Sequence, residues 1–223
     1  MSDYEIFETQ DGSHSVLSHR YGVSYHSKYG AIQETQHVFI EGGFFPLALR
    51  QKNVRILEVG FGTGLNALMT MWEAEDRDRH VFYQGVDPHP IALADAKILN
   101  YPEQLGKPHR KEEYLRLHEA GWNTEQTILP GFTLFKSQAA IAEADLQAPF
   151  DLIYYDAFAP TAQPELWDAP VLSRMAEALI EGGMLVTYCA KGAFKRTLKE
   201  LGLEVEALKG PPGKREMTRA RKP

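Results

Sequence analysis

The 223-residue sequence has one cysteine, Cys189. That excludes an internal disulfide and any cysteine-built metal cluster. No apolar run approaches the roughly 18 residues a membrane helix needs. Residues 1–10 are polar and acidic, unlike a signal peptide. There is no internal repeat and no low-complexity tract, and the eight histidines show no metal-ligand spacing. These absences lead to an expectation of a cytoplasmic protein with no membrane and no metal. What is there is an ordinary globular composition, 43% hydrophobic and 11% aromatic, enough to bury a sizeable core. The length suits one α/β domain, alone or with an appendage.

Net charge is −6, unevenly spread. Residues 191–223 hold 10 Lys/Arg against 4 Asp/Glu, a net +6, which leaves −12 on the rest. A solvated tail is the plain explanation. The sharper one is a basic face for a polyanion on an acidic body.

Residues 1–45 read as a β extension packed on a catalytic domain. Asp11-Gly12 is a turn signal between two alternating runs. "HVFIEGG" is read with this extension, and a helix is expected after Phe44. From Val54 onward the pattern becomes α/β, so residues 46–223 form the main domain. The strands are "VRILEVGF", "HVFYQGVD", "GFTLFKS", "FDLIYYDAF" and "MLVTYCA". The helices are "LNALMTMWEAE", "PIALADAKILN", "APVLSRMAEALIEGG" and "GAFKRTLKELG". Continuous apolar strands alternating with helices imply a parallel sheet covered on both faces. The chain then ends in two strands around "PPGKR", an antiparallel hairpin. The fold class is therefore α/β, Rossmann-like, with a terminal hairpin that suits a methyltransferase better than a dehydrogenase. Residues 101–130 read as an insertion of short helices, too long for a bare loop.

"EVGFGTGLN" places Glu58, Gly60, Gly62, Gly64 and Asn66 directly after the first parallel strand. The glycines permit a tight turn and close ligand approach. Their spacing is G-x-G-x-G, not the dinucleotide G-x-G-x-x-G. Glu58 would repel phosphate but suits a cationic ligand. S-adenosyl-L-methionine carries an ammonium and a sulfonium and has no phosphate. Asp87, ending the second strand, can accept bonds from ribose hydroxyls, or cap the next helix. Ser137 and Gln138 follow the third strand, where an adenine would lie.

Four separated segments, "YGAIQETQHVFIEGG", "ILEVGFGTGLNALMTMWEA", "DLIYYDAFAPTAQPELW" and "GPPGKREM", resemble the methyltransferase domain of MnmC and its standalone relative MnmD. The resemblance runs from about Tyr21 to Met217. It implies S-adenosylmethionine-dependent methylation of the 5-aminomethyl group of a (2-thio)uridine at the tRNA wobble position. Two departures stand out. Ala157 replaces a glycine common in "DGFAP", and the acidic residue after the third strand is replaced around Ser137-Gln138. The FAD-dependent oxidase domain of the two-domain enzymes is absent from this sequence, so the aminomethyl substrate is expected to come from elsewhere.

The resemblance also implies roles. Asp156, a carboxylate at the end of a buried strand, would face both the transferred methyl and the amine. An alkylamine with a pKa near 10.4 is mostly protonated at pH 7, at a cost of about 4–5 kcal/mol. Asp156 could orient it and accept its proton. Phe158 and Pro160 would wall a uracil ring, with Trp167 a second stacker or a core residue. Glu34, Thr35 and Glu41 would lie over the cofactor or amine. Lys214 and Arg215, helped by Arg219, would touch the backbone of the tRNA anticodon stem-loop. Cys189, in "TYCAKG", reads as a core thiol. No obligate protein partner is expected. Three rivals share these features: a small-molecule amine methyltransferase, an aminopropyltransferase, and a non-catalytic RNA-binding module. The first leaves the basic segment unexplained, decarboxylated cofactor tests the second, and failure to bind cofactor would mark the third.

Overall fold

The computed structural model describes residues 4–223; residues 1–3, part of the expected β extension, lie outside the described residues. A three-stranded antiparallel sheet comes first: β1 (Tyr4–Glu8), β2 (His14–Ser18) and β3 (Val23–Ser24). A helix starts as α1 (Ala31–Thr35), widens to π-helical geometry over Gln36–Phe44 and closes as α2 (Phe45–Ala48). Then come β4 (Asn53–Val59), α3 (Leu65–Asp76), β5 (His80–Val86), α4 (Leu93–Ala96), α5 (Tyr101–Gln104) and α6 (Lys111–Glu119). The chain continues through β6 (Glu125–Leu129), β7 (Phe132–Ser137), β8 (Phe150–Tyr155), α7 (Ala169–Ala178), β9 (Leu179–Thr187) and α8 (Gly192–Glu200). It ends with β10 (Glu204–Lys209) and β11 (Glu216–Arg221).

Eight strands form one sheet in the order β10-β11-β9-β8-β4-β5-β7-β6. The five central strands are parallel, with antiparallel β6 at one edge and the β10–β11 hairpin at the other. This is the doubly wound, hairpin-ended arrangement expected from the sequence. The two-residue period of the strands sorts the core. Ile56 and Tyr154 pack with Phe39, Leu68 and Trp72 on one face. Their neighbours Leu57 and Tyr155 pack with Leu172, Phe194 and Leu198 on the other. Strand order reverses between β4 and β8, and ligands in such sheets bind beyond the carboxyl ends of the strands at that crevice.

Four expectations need correction. Residues 37–43 are helical, not part of a β extension. Val38, Phe39, Ile40 and Phe44 are all buried, and the Gly42-Gly43 pair lets the backbone lie on the sheet. A Cβ on Gly43 would come within 3.0 Å of Val186 Cγ2. "PIALADAKILN" makes only the single turn α4, because Asn100 turns to the N-terminal sheet. Its Oδ1 accepts the His14 N–H at 2.8 Å, and its Nδ2 donates to Gly12 O at 2.9 Å. Helix α7 stops at Ala178, and "LIEGG" belongs to β9, where the β8–β9 register shifts. Backbone crowding at Gly183, where a Cβ would sit 2.9 Å from Ile180 O, explains the small residue. Finally, the 101–130 insertion is not wholly helical, since its last part is the edge strand β6.

Candidate active site

The loop from Gly60 to Gly64 joins β4 to α3 at that crevice. Gly60 and Gly62 have φ of +89° and +48°, in the left-handed region that favours glycine. Space restricts them as well. A Cβ on Gly60 would lie 2.8 Å from the Asp156 carbonyl oxygen, and one on Gly62 2.8 Å from the Tyr25 ring. The insertion braces the loop from behind. Tyr114 Oη donates to Thr63 O at 2.9 Å, and His118 Nε2 lies 3.1 Å from the same carbonyl. From the front, His26 Nε2 and the Thr63 hydroxyl share a 2.8 Å hydrogen bond. Burial lowers the pKa of His26 to about 4, so its ring is neutral.

A cavity of about 250 Å³ opens over this loop. Its walls include Gly60, Phe61, Gly62, Asp87, His89, Ile141, Asp156, Phe158, Gln163 and Glu165. The N-terminal segment roofs it with Tyr21 and Tyr25, whose rings each lie 5.0 Å from that of Phe158. Asp87 is buried at the end of β5. Its Oδ2 accepts the Gly62 N–H and its Oδ1 the His89 N–H, both at 2.8 Å. Two lone pairs are thereby fixed, and two stay available to hydroxyls.

Asn66 joins three segments. Its Nδ2 donates to Glu58 Oε1 at 2.8 Å and to Asp156 Oδ2 at 2.9 Å. Its Oδ1 accepts from Thr35 Oγ1 at 2.9 Å, which sets the amide's orientation. Burial, then the Asp156 charge, pushes the Glu58 carboxyl well above the ordinary range, and its Oε2 is buried without a hydrogen-bond partner. Burial also raises Asp87. For Asp156, burial and then the Glu34 carboxylate push the pKa up to about 7.

Beyond Asp156 lies a second group. Lys214 Nζ donates to Glu34 Oε1 at 2.6 Å and sits 3.8 Å from the centre of the Tyr188 ring. Glu34 Oε2 accepts the Ser27 N–H at 2.9 Å. Tyr188 Oη donates to Ala157 O at 2.8 Å, next in the chain to Asp156.

The sequence-predicted residues divide sharply. Gly60, Gly62, Asn66, Asp87, Asp156 and Phe158 line the cavity. Glu58 and Thr35 stand behind it, each bonded to Asn66, Gly64 is outside the wall against His118, and Glu34 pairs with Lys214. Gln138 is exposed and forms no part of the cavity wall, and Ser137 is buried accepting from Gln84 Nε2; Ala140 and Ile141 line that side instead. Trp167 is a core residue between Tyr155 and Phe194, and its Nε1 donates to Phe158 O at 2.9 Å, so it shapes the wall from behind. Pro160 is half-buried in the following loop, outside the wall, and Glu41 is exposed beside His37. Lys214 is engaged by Glu34. Arg219 is held by Glu206 and Gly42 O, while the Arg215 side chain is 95% exposed. Sequence reading missed Tyr21, Tyr25, His26 and Tyr188. Only Tyr188 carried a signal, as an aromatic just past the end of a buried strand.

None of the described cavity-lining residues is Lys or Arg, while Asp87, Asp156 and Glu165 are acidic. Such a lining does not suit a pyrophosphate, and it suits a cation. Among the described residues no cluster of His, Cys, Asp or Glu is arranged for a metal, and no helix is long and apolar enough to cross a membrane. The chain belongs to the S-adenosyl-L-methionine-dependent methyltransferases, whose family model matches residues 112–223. S-adenosyl-L-methionine fits the lining, since its ammonium and sulfonium outweigh its one carboxylate and it bears no phosphate. Its ribose hydroxyls are matched by the free lone pairs of Asp87. Among particular relatives, the chain is 30% identical over 96% of its length to a tRNA 5-methylaminomethyl-2-thiouridine biosynthesis bifunctional protein MnmC from Aromatoleum aromaticum. It is 32% identical over 93% of its length to the protein of that name from Burkholderia thailandensis. The chain spans about a third of these relatives, 34% and 33%. The crystal structure of MNMC2 from Aquifex aeolicus superposes on all of this chain and 72% of that one, with a TM-score of 0.77 and 29% identity.

Proposed function

We propose that this chain methylates the primary amine of a 5-aminomethyl-(2-thio)uridine at the wobble position of tRNA. The carrying observation is Asp156. It stands at the carboxyl end of β8, half-buried between the acid-lined cavity and the Glu34–Lys214–Tyr188 group. The names of the relatives support the choice of acceptor. In this reading Glu58, Gly60, Gly62, Gly64, Asn66 and Asp87 form the cofactor end. The bound cofactor supplies an electrophilic methyl on a sulfonium. Asp87 holds the ribose, and Asn66 fixes Asp156 toward the reacting amine. Asp156, with a pKa of about 7, is a base matched to neutral pH. It takes the ammonium proton and leaves the nitrogen lone pair free to attack. Phe158, under Tyr21 and Tyr25, supplies the flat wall.

The tRNA backbone lies on the hairpin face. Lys209, Arg215 and Arg221 are exposed cations of the hairpin, with Lys191 exposed just before α8 and Arg196 and Lys199 exposed on it. A wobble base is already unpaired, so turning it into a pocket breaks no pair. The test is nucleoside mass spectrometry of tRNA carrying 5-aminomethyl-2-thiouridine after incubation with the chain and cofactor. The expected product is one methyl heavier at the side-chain amine. An unchanged nucleoside, or a methyl on a ring atom, overturns the reading.

A further inference from the structure

Lys214 ends in CH₂–NH₃⁺, and so does a protonated aminomethyl acceptor. Its ammonium has both a carboxylate, 2.6 Å away at Glu34, and an aromatic face, 3.8 Å away at Tyr188. A carboxylate with an aromatic wall is how a desolvated alkylammonium is bound. Asp156 belongs to the same field. The Glu34 carboxylate raises it and Lys214 lowers it, while Tyr188 is shifted upward by burial and by both carboxylates. Glu34 is covered, its side chain 8% exposed, whereas Lys214 is the outer partner at 33%. The turn that carries Lys214 is held in place by close packing. Gly213, at φ +83°, lies so close to Tyr29 that a Cβ would meet the ring at 2.1 Å. His37 Nε2, 2.7 Å from Lys209 O, ties the hairpin to the π-helical stretch.

We propose that Glu34, the face of Tyr188 and Asp156 form a primary-alkylammonium site, that Lys214 fills it in the free protein, and that the acceptor's aminomethyl group takes its place. The identity of the acceptor rests on the function proposed above. Exchange of one alkylammonium for another leaves the charge of the pocket unchanged, so Glu34 is never buried without a counterion. The same pair sets selectivity. An amine that bears its own carboxylate meets two like charges and is disfavoured. Lys214 is thus a positioning residue that competes with substrate, not a phosphate contact.

The test uses n-butylammonium as probe, with n-butanol as neutral control. Its binding to the full chain, saturated with S-adenosylhomocysteine, is measured by calorimetry. If Lys214 holds the site for about nine-tenths of the time, Lys214→Met should bind n-butylammonium about tenfold more tightly than the parent. Lys214→Gln, which leaves Glu34 a hydrogen-bond donor, should show the same direction. Glu34→Gln should lose the probe, and n-butanol should bind none of them. With the tRNA acceptor, Lys214→Met should lower or hold KM and leave its salt slope unchanged, while Glu34→Gln raises KM. Equal n-butylammonium affinity in parent and both Lys214 variants overturns the proposal. So does a higher tRNA KM in Lys214→Met with a salt slope shallower by about 0.7–0.9, the mark of one lost phosphate contact. Probe binding needs no turnover, so it can succeed while no variant methylates tRNA, which would refute the acceptor and not the amine site.

Discussion

The two ends of the candidate site are built differently. The proposed cofactor end comes from short, contiguous pieces: the Gly60–Gly64 loop after β4 and Asp87 after β5, held by backbone N–H groups. The proposed amine end comes from side chains at 34, 156, 188 and 214, on four separate segments of the chain. Backbone geometry suits a ligand whose shape never changes. Side chains on separate elements can respond to an acceptor that enters and leaves. Asn66 spans the two ends, bonded to Glu58, Asp156 and Thr35.

The strongest way to separate the ends is Asp156→Asn. It keeps the shape and removes the base, so kcat should fall by about 10²–10⁴ with cofactor affinity nearly unchanged. A parental rate in stopped assays would remove Asp156 from proton transfer. Next, Asp87→Ala should weaken cofactor binding by about 1.5–3 kcal/mol, roughly 10- to 150-fold in Kd. Calorimetry showing an unchanged Kd would break the assignment of the cofactor end.

A third test uses pH. Asp156 titrates near 7 in the folded chain against 3.8 as its ordinary value. The folded state therefore holds this proton more tightly, and the stability it contributes is lost as pH rises from about 4 to about 7. His26 and His118, each lowered to about 4 by burial, act oppositely over part of that range. They cancel when the parent is compared with Asp156→Asn. In ligand-free thermal unfolding the parent should lose stability relative to the variant across this window. A constant difference would mean that Asp156 is an ordinary carboxylate. The smallest effect should come from Thr35→Val, which leaves Asn66 Oδ1 without its donor. It should cost about 1 kcal/mol in stability and a few-fold in kcat, with Kd for cofactor held. A change in Kd instead would place Asn66 with the cofactor end alone.

These differences follow how much of each end was legible in the chain. "EVGFGTGLN" and "QGVDPHP" could be placed from spacing alone, because a turn after a strand is local and its glycines are dictated by φ and close approach. "HVFIEGG" misleads, because an apolar run of that length has no period that separates a strand from a buried helix. Gln138 was misplaced because the chain turns away after Ser137, which Gln84 holds in the sheet. The positive segment from Lys191 suggested phosphate contacts for Lys214, yet Glu34, 180 residues earlier, holds that cation.

The sequence by itself determined the parallel α/β core, the glycine turn, the acid at the end of each of three strands and the closing hairpin. All of these are set by residues a few positions apart. Only the tertiary structure decided that Tyr21 and Tyr25 roof the cavity, that Asn66 links two carboxylates, and that Lys214 lies between Glu34 and Tyr188. The reason is physical: side-chain charges and rings act through space over a few ångströms, and nothing in a local pattern records which distant segment will supply the partner.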